Sequence, residues 1–325
     1  MPKPKVFVTR IIREKGLDLV KEFCEAEIWP EELPPDRATL LEKVRGVEGI
    51  LCLLTDRIDA EVLDAAGLQL KVVSNHAVGF DNIAIGEATA RGIPVGNTPG
   101  ILTDATADFA FALLLAAARR LTEAERYLRA GRWVTWGPST LLGMDLAGKT
   151  LGLIGFGRIG QAVAKRAIGF DLRVLYYDPS ALPAWNATPV ETLDELLRQS
   201  DFVSIHTPLT ERTRRMVNAE FLAKMKPTAV LVNTARGGVL DQEALYEALK
   251  AQRIFAAALD VTDPEPLPLD SPLLTLENCL ITPHIASASA YTRDMMAYLA
   301  AQNLLAGLKG ERLPYCVNPE VYNRA

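Results

Sequence analysis

Histidine is scarce in this chain, with three residues in 325. They are His76, His206 and His284, too dispersed for H-x-x-x-H or H-E-x-x-H, so no metal site is expected. Cysteine is nearly as rare. Cys24, Cys52, Cys279 and Cys316 form no C-x-x-C, which fits reduced thiols in a cytoplasmic setting. There is no G-x-S-x-G nucleophile elbow. Basic charge is not in excess: the formal net charge is −5, so no global positive field invites nucleic acid or an anionic membrane. The longest apolar run, Phe109 to Ala118, is too short to span a bilayer. The opening Met-Pro-Lys-Pro-Lys-Val-Phe-Val reads as the start of a strand and not as a signal peptide, so the sequon Asn186-Ala-Thr188 is expected to have no consequence. Internal repeats and low-complexity segments are absent. What remains is 49% hydrophobic and 23% charged, an ordinary globular composition with length enough for two domains.

Taken in order, short apolar runs alternate with helical spacing. Val6–Val8, Glu27–Trp29, Gly49–Leu54, Leu70–Ser74 and Ile93–Val95 read as strands. Helices fall between them at Glu14–Phe23, Arg37–Val44, Asp59–Ala66 and Asp81–Arg91. Repeated β-α units predict a parallel sheet covered on both faces. Asn97-Thr-Pro-Gly100 then punctuates the chain. One long helix is expected from Thr103 or Asp104 to Ala130, apolar nearly all round over Phe109–Ala118 and therefore buried on several sides. An aromatic loop, Gly131 to Pro138, follows. A second β-α series starts at Thr150, and a last helix is expected from about Ala288 to Gly307 with a stripe of Met295, Leu299, Asn303 and Ala306.

The second series opens on a strand, a glycine turn and a helix. Gly155, Gly157 and Gly160 in Gly155-Phe-Gly-Arg-Ile-Gly160 fit G-x-G-x-x-G. The first glycine permits the turn, the second lets backbone approach a pyrophosphate, and the third lets the helix sit close to the strand. Asp178 ends the next strand, roughly 20 residues on, where an acid can accept from a ribose hydroxyl. Gly143 to Thr150 also matches the P-loop pattern. Its Lys149-Thr150 leads into a strand and not a helix, so nucleoside triphosphate binding is rejected.

Three polar residues interrupt apolar stretches at strand ends: Arg236 before Gly-Gly, Glu265 between prolines, and His284 after Thr-Pro. In a doubly wound sheet that edge is where ligands sit. Reduction of a 2-oxo acid needs a planar cation for carboxylate and carbonyl, which guanidinium provides. It needs a proton donor near neutrality, which is histidine, and a carboxylate to orient that histidine and favour its charged form. His76 and His206 read instead as strand-end residues.

With these motifs the chain resembles the D-isomer-specific 2-hydroxyacid dehydrogenases over essentially its full length. Val78-Gly79-Phe-Asp-Asn-Ile83 resembles the family loop whose amides bind the substrate carboxylate, and the three strand-end residues resemble its catalytic trio. Ile50–Arg57, Gly131–Trp136 and Ala301–Gly307 are similar to the glyoxylate/hydroxypyruvate reductase subgroup. The resemblance implies a Rossmann cofactor domain at 99–287 and a flavodoxin-like substrate domain from 1–98 plus 288–325, both doubly wound α/β, with the site in the cleft between them. It implies catalytic Arg236, Glu265 and His284. Cofactor contacts would come from Thr106 and the turn residues Gly155, Gly157, Arg158, Ile159 and Gly160. Asp178, Thr207, Pro208, Thr213, Thr234, Ala235, Arg236, Asp260, His284 and Ala286 would complete them. Substrate would meet Leu54, Val78, Gly79, Arg236, His284, Ser287 and, in a homodimer, Trp136 of the other subunit. Some reductases of the subgroup prefer NADP(H) and carry a small residue and an arginine where Asp178-Pro-Ser180 stands here. The Asp178 charge would repel a 2′-phosphate, so NAD(H) is favoured and NADP(H) remains open. The same motifs also admit a phosphoglycerate dehydrogenase, another D-2-hydroxyacid dehydrogenase, or a dinucleotide-sensing binding protein.

Overall fold

The computed structural model describes residues 2–180 and 186–323. The chain divides into two compact units, Met1–Leu102 with Ala288–Ala325, and Thr103–Ser287.

The first unit runs β1 (Lys5–Val8), α1 (Glu14–Phe23), β2 (Glu25–Ile28), α2 (Arg37–Lys43), β3 (Gly49–Cys52), α3 (Ala60–Ala66), β4 (Val72–Asn75), α4 (Ile85–Ala90) and β5 (Val95–Gly96). Its parallel sheet has the order β2-β1-β3-β4-β5, the flavodoxin-like doubly wound order. β3 and β4 are buried throughout because helices cover both faces. Asp36 and Asp59 cap α2 and α3, their carboxylates accepting from Thr39 N at 2.8 Å and Val62 N at 3.3 Å. The predicted helix over 81–91 is shorter. Asn82 is held in the preceding turn, its Nδ2 donating to Leu53 O and Asp56 O at 3.0 Å each, so regular helix begins at Ile85.

The second unit runs α5 (Thr103–Ala118), α6 (Leu121–Arg129), β6 (Thr150–Ile154), α7 (Arg158–Ala167), β7 (Arg173–Tyr177), β8 (Thr188–Pro189), α8 (Leu193–Gln199), β9 (Phe202–Ile205), α9 (Ala219–Lys224), β10 (Val230–Asn233), α10 (Gln242–Lys250), β11 (Ala256–Leu259) and β12 (Cys279–Ile281). The order β12-β11-β10-β9-β6-β7-β8 is all parallel and reverses at β6, the Rossmann switch point. One core layer packs α5 and α7 against the sheet around Phe111, Leu114 and Phe156. The other packs α8, α9 and α10 around Leu196, Phe221 and Leu245.

The single long helix expected from 103 to 130 is two helices. Arg120 adopts φ 53°, which takes the backbone off the helical path, and Met144 N from the crossing chain donates to the Ala118 carbonyl at 2.9 Å. The crossing chain lies so close that a Cβ on Gly143 would be 2.5 Å from Ala118 O. This is also the true role of the P-loop look-alike, whose Thr150 begins β6.

After the second unit the chain returns to the first as α11 (Ala290–Leu308), capped by Ser289 Oγ accepting from Thr292 N at 3.3 Å. Its buried face is wider than the expected stripe and runs through Met296, Ala300, Asn303 and Gly307, while Met295 is half exposed. α11 packs on α1 backbone to backbone. A Cβ added to Gly16 would lie 2.2 Å from Ala297 O. No helix among the described residues is long and apolar enough to cross a membrane. Gly16→Ala must push the helices apart and should cost about 1–3 kcal/mol as overpacking. Thermal unfolding should show a lowered midpoint; an unchanged midpoint would contradict the close approach.

Candidate active site

β6 ends on Ile154 and the chain turns at Gly155, whose φ is +87°. A Cβ here would meet His206 O at 2.6 Å, so only glycine fits between the β6 and β9 ends. A Cβ on Gly160 would meet Gly155 O at 2.4 Å, which is the close helix-strand contact that the third glycine allows. Around Gly157 a Cβ would meet nothing, so the turn is open on that side. No side chain caps α7. The first-turn amides of Arg158, Ile159 and Gly160 therefore face outward with the positive helix end, and a pyrophosphate fits their donor set. Asp178 braces this turn, its Oδ2 accepting from Phe156 N at 2.8 Å and its Oδ1 from Ser180 N at 2.9 Å. Phe156 stacks on Tyr176 beneath at 4.0 Å between centroids.

The loop after β9 carries Thr207, Pro208 and Thr213. Thr213 Oγ1 donates to Pro208 O at 2.6 Å and accepts from Thr210 N at 2.8 Å, so that hydroxyl shapes its own loop. Thr106 is buried on α5, and Trp136 stands 79% exposed in the loop after α6.

The trio sits beyond three adjacent strands. After β10, buried Asn233 makes the bend, its Oδ1 accepting from Ala235 N at 3.0 Å and its Nδ2 donating to Arg236 O at 2.9 Å. Arg236 leaves this turn half-buried, with Nη1 donating to Ala235 O at 2.8 Å. The next residue packs on the loop after β11: a Cβ on Gly237 would lie 1.9 Å from Thr262 O. Glu265 is in that loop, its Oε2 accepting from Thr262 N at 3.4 Å. Its Oε1 lies 2.5 Å from Nδ1 of His284, which follows β12. Thr234, expected at the cofactor, is buried with its Oγ1 unpartnered.

His284 has φ +53°, uncommon for a residue with a Cβ. Buried Asp260 holds it there. Asp260 Oδ1 accepts from Ile285 N at 2.8 Å and Thr282 Oγ1 at 2.7 Å. Oδ2 accepts from Ala286 N at 2.7 Å, and Asp260 O accepts from His284 N at 2.9 Å. The sequence singled out Asp260 and Ala286 for the cofactor and missed that they anchor the histidine loop. An acid at the end of the buried run Ala256–Leu259 was the available signal. Ser287 ends the unit half-buried. Leu54, Val78 and Gly79 belong to the other unit, in the loops after β3 and β4, each half-buried.

A glycine turn on a Rossmann sheet with a carboxylate-held histidine at the same carboxyl edge defines a nicotinamide-dependent oxidoreductase. The sequence model of the family described as D-isomer specific 2-hydroxyacid dehydrogenase, NAD binding domain, matches residues 111–286, and the chain belongs to that family. It is 53% identical over 323 residues to a glyoxylate reductase of Korarchaeum cryptofilum, covering 98% of this chain and 97% of that protein. A glyoxylate reductase of Thermococcus kodakarensis is 51% identical over 326 residues, covering 98% and 97%. Among solved structures, a Thermus thermophilus protein superposes with TM-score 0.92 at 50% identity, covering 96% of this chain and 99% of its own. An NADPH-dependent glyoxylate/hydroxypyruvate reductase of Sinorhizobium meliloti, in complex with NADP and malonate, gives TM-score 0.87 at 34% identity, covering 97% of each.

The other histidines differ in setting. Burial, with the Arg293 charge behind it, lowers His76 from 6.5 to about 4. Burial lowers His206 likewise to about 4, with its Nε2 2.9 Å from Ser204 Oγ. Each has a folded value below the unfolded one, so as pH falls the unfolded chain takes up protons that the native protein refuses. For His76 that costs on the order of 3 kcal/mol across the window from about 6.5 to about 4. The melting midpoint should fall as pH is lowered through this window, and His76→Gln should make the decline shallower. Equal slopes in both proteins would show that His76 charges freely in the fold.

Proposed function

We propose that the protein reduces small 2-oxo acids, glyoxylate to glycolate first and hydroxypyruvate to D-glycerate beside it, with NADH favoured over NADPH. The observation that carries this reading is the 2.5 Å contact of His284 Nδ1 with Glu265 Oε1 on the edge that also bears the glycine turn. The names of the Korarchaeum and Thermococcus relatives support glyoxylate as the first substrate. The carboxylate of Asp178, anchored on the turn itself, supports NADH, because a 2′-phosphate would approach a fixed negative charge.

In this reading residues 99–287 hold the cofactor, and residues 1–98 with 288–325 supply the substrate loops. A bound reduced nicotinamide would supply the hydride that the carbonyl carbon takes up. The Val78 and Gly79 amides take the substrate carboxylate. Arg236 pairs its fork of donors with carboxylate and carbonyl oxygen, drawing charge onto that oxygen. Glu265 accepts a hydrogen bond from Nδ1–H, which fixes the ring and leaves Nε2 to face the substrate. His284 gives its Nε2 proton to the forming alkoxide, and the Glu265 charge stabilises the imidazolium beforehand. Leu54 and Ser287 border the substrate.

The protein is proposed to act as a homodimer in the cytoplasm. α6 has no buried residue, and it carries Leu121 and Leu128 at 56% and 54% exposure. Trp133, Val134, Trp136 and Leu142 follow, at 60%, 91%, 79% and 61%. Apolar surface gathered this way calls for a partner, and a second copy whose Trp136 limits substrate size fits it.

The test is kcat/KM for glyoxylate, hydroxypyruvate, pyruvate and phosphohydroxypyruvate with both reduced cofactors. Glyoxylate with NADH should lead, and Asp178→Ala should narrow the cofactor preference. His284→Ala should cost about 10²–10⁴-fold in kcat, with a smaller loss in Glu265→Gln. A protein that turns over none of the four, or loses nothing on His284→Ala, ends this reading. Trp136→Ala should change the hydroxypyruvate-to-glyoxylate ratio more than it weakens self-association; a fixed ratio with a weaker dimer would make the residue interface only.

A further inference from the structure

Three successive carbonyls in the loop after β4 are each held by the first unit. Thr98 N donates to Ala77 O at 2.9 Å, Asn97 Nδ2 to Val78 O at 2.8 Å, and Asn75 Nδ2 to Gly79 O at 2.8 Å. Among the described residues nothing accepts from the N–H of Val78 or Gly79. The trans peptide is planar, so the N–H of one residue points opposite to the carbonyl before it. Fixing Val78 O therefore aims the Gly79 N–H, and fixing Ala77 O aims the Val78 N–H.

Asn97 is itself held at three points. Its N–H donates to Tyr315 O at 3.3 Å, and its carbonyl accepts from Asn303 Nδ2 at 2.8 Å. Asn303 is fully buried on α11, with its Oδ1 accepting from Tyr315 N at 3.0 Å. It presses so closely that a Cβ on Gly96 would meet it at 2.7 Å. Backbone and side chain of Asn97 thus have one arrangement, and it ends on Val78 O. A buried side-chain amide with both groups used is costly to disturb, which makes the aim of the Gly79 N–H rigid.

We infer that Asn97 is a positioning residue for the substrate carboxylate, holding the Gly79 N–H toward it through Val78 O and tying that aim to α11 through Asn303. This rests on the proposal that the Val78 and Gly79 amides receive the carboxylate. Asn97 touches no reacting atom, so its loss should weaken substrate grip before it slows chemistry.

Asn97→Ala should raise the KM for glyoxylate roughly ten-fold, as expected for one hydrogen bond lost from a preorganised site, with a smaller change in kcat. NADH affinity, measured by quenching of protein fluorescence, should be unchanged, and oxalate should bind the NADH complex more weakly by the same factor as the KM rise. Asn97→Asp should show a raised KM that recovers as pH falls, because a protonated carboxyl can again donate to Val78 O. An unchanged glyoxylate KM and oxalate affinity in Asn97→Ala would overturn the inference. So would a loss of NADH affinity and melting temperature in step with KM, which marks a merely structural residue. If the unmodified protein turns over no 2-oxo acid, the functional proposal falls separately, and the inference is then decided by oxalate binding alone.

Discussion

A buried carboxylate must be satisfied by donors, and Asp260 finds its donors in the loop that follows β12. Three donors from residues 282–286 converge on it, and its own carbonyl takes the His284 amide. Leaving such groups unpaired would cost on the order of 1–3 kcal/mol each, so the loop has little freedom to lie elsewhere. That is how His284 is kept at a positive φ and why its ring meets Glu265 from the neighbouring loop. The strained residue is the one expected to move a proton, and the strain is carried by a hydrogen-bond set outside it.

The same device recurs along the sheet edge. Asn233 bends the chain after β10 and delivers Arg236, and the loops after β10 and β11 touch because Gly237 admits the Thr262 carbonyl. Asp178 braces the glycine turn from the end of β7. In the first unit Asn75 and Asn97 do for the 77–79 loop what Asp260 does for the histidine loop. Short polar side chains at strand ends consume the loop's carbonyls or amides on one side and leave the opposite groups presented. Within each unit, parallel strands put these ends on one edge of its own sheet, so the same architectural fact gathers each set.

Much of this was legible in the residues. The glycine turn, its flanking strand and helix, and the acid at 178 could be read from spacing, because each glycine answers a local steric demand. The alternation of apolar runs gave both sheets and most helices. The single helix expected over 103–130 was not legible as two, because its break is made by the chain at 143–144 capturing the Ala118 carbonyl, a contact far away in sequence. The helix start at 81 failed for the same reason, since Asn82 is claimed by carbonyls from the loop at 53–56.

The sequence by itself determined the two parallel-sheet units, the family, and the residue types at the strand ends, because backbone periodicity and turn chemistry are local. Tertiary structure alone decided which polar side chains hold the strand-end loops in place. Asn97 and Asn75 look like any other amide in the sequence, and Asp260 shows only as an acid ending a buried run; what separates them is where their few hydrogen bonds go. A hydrogen bond depends on direction and on a distance of about 3 Å, and only the packed chain sets either.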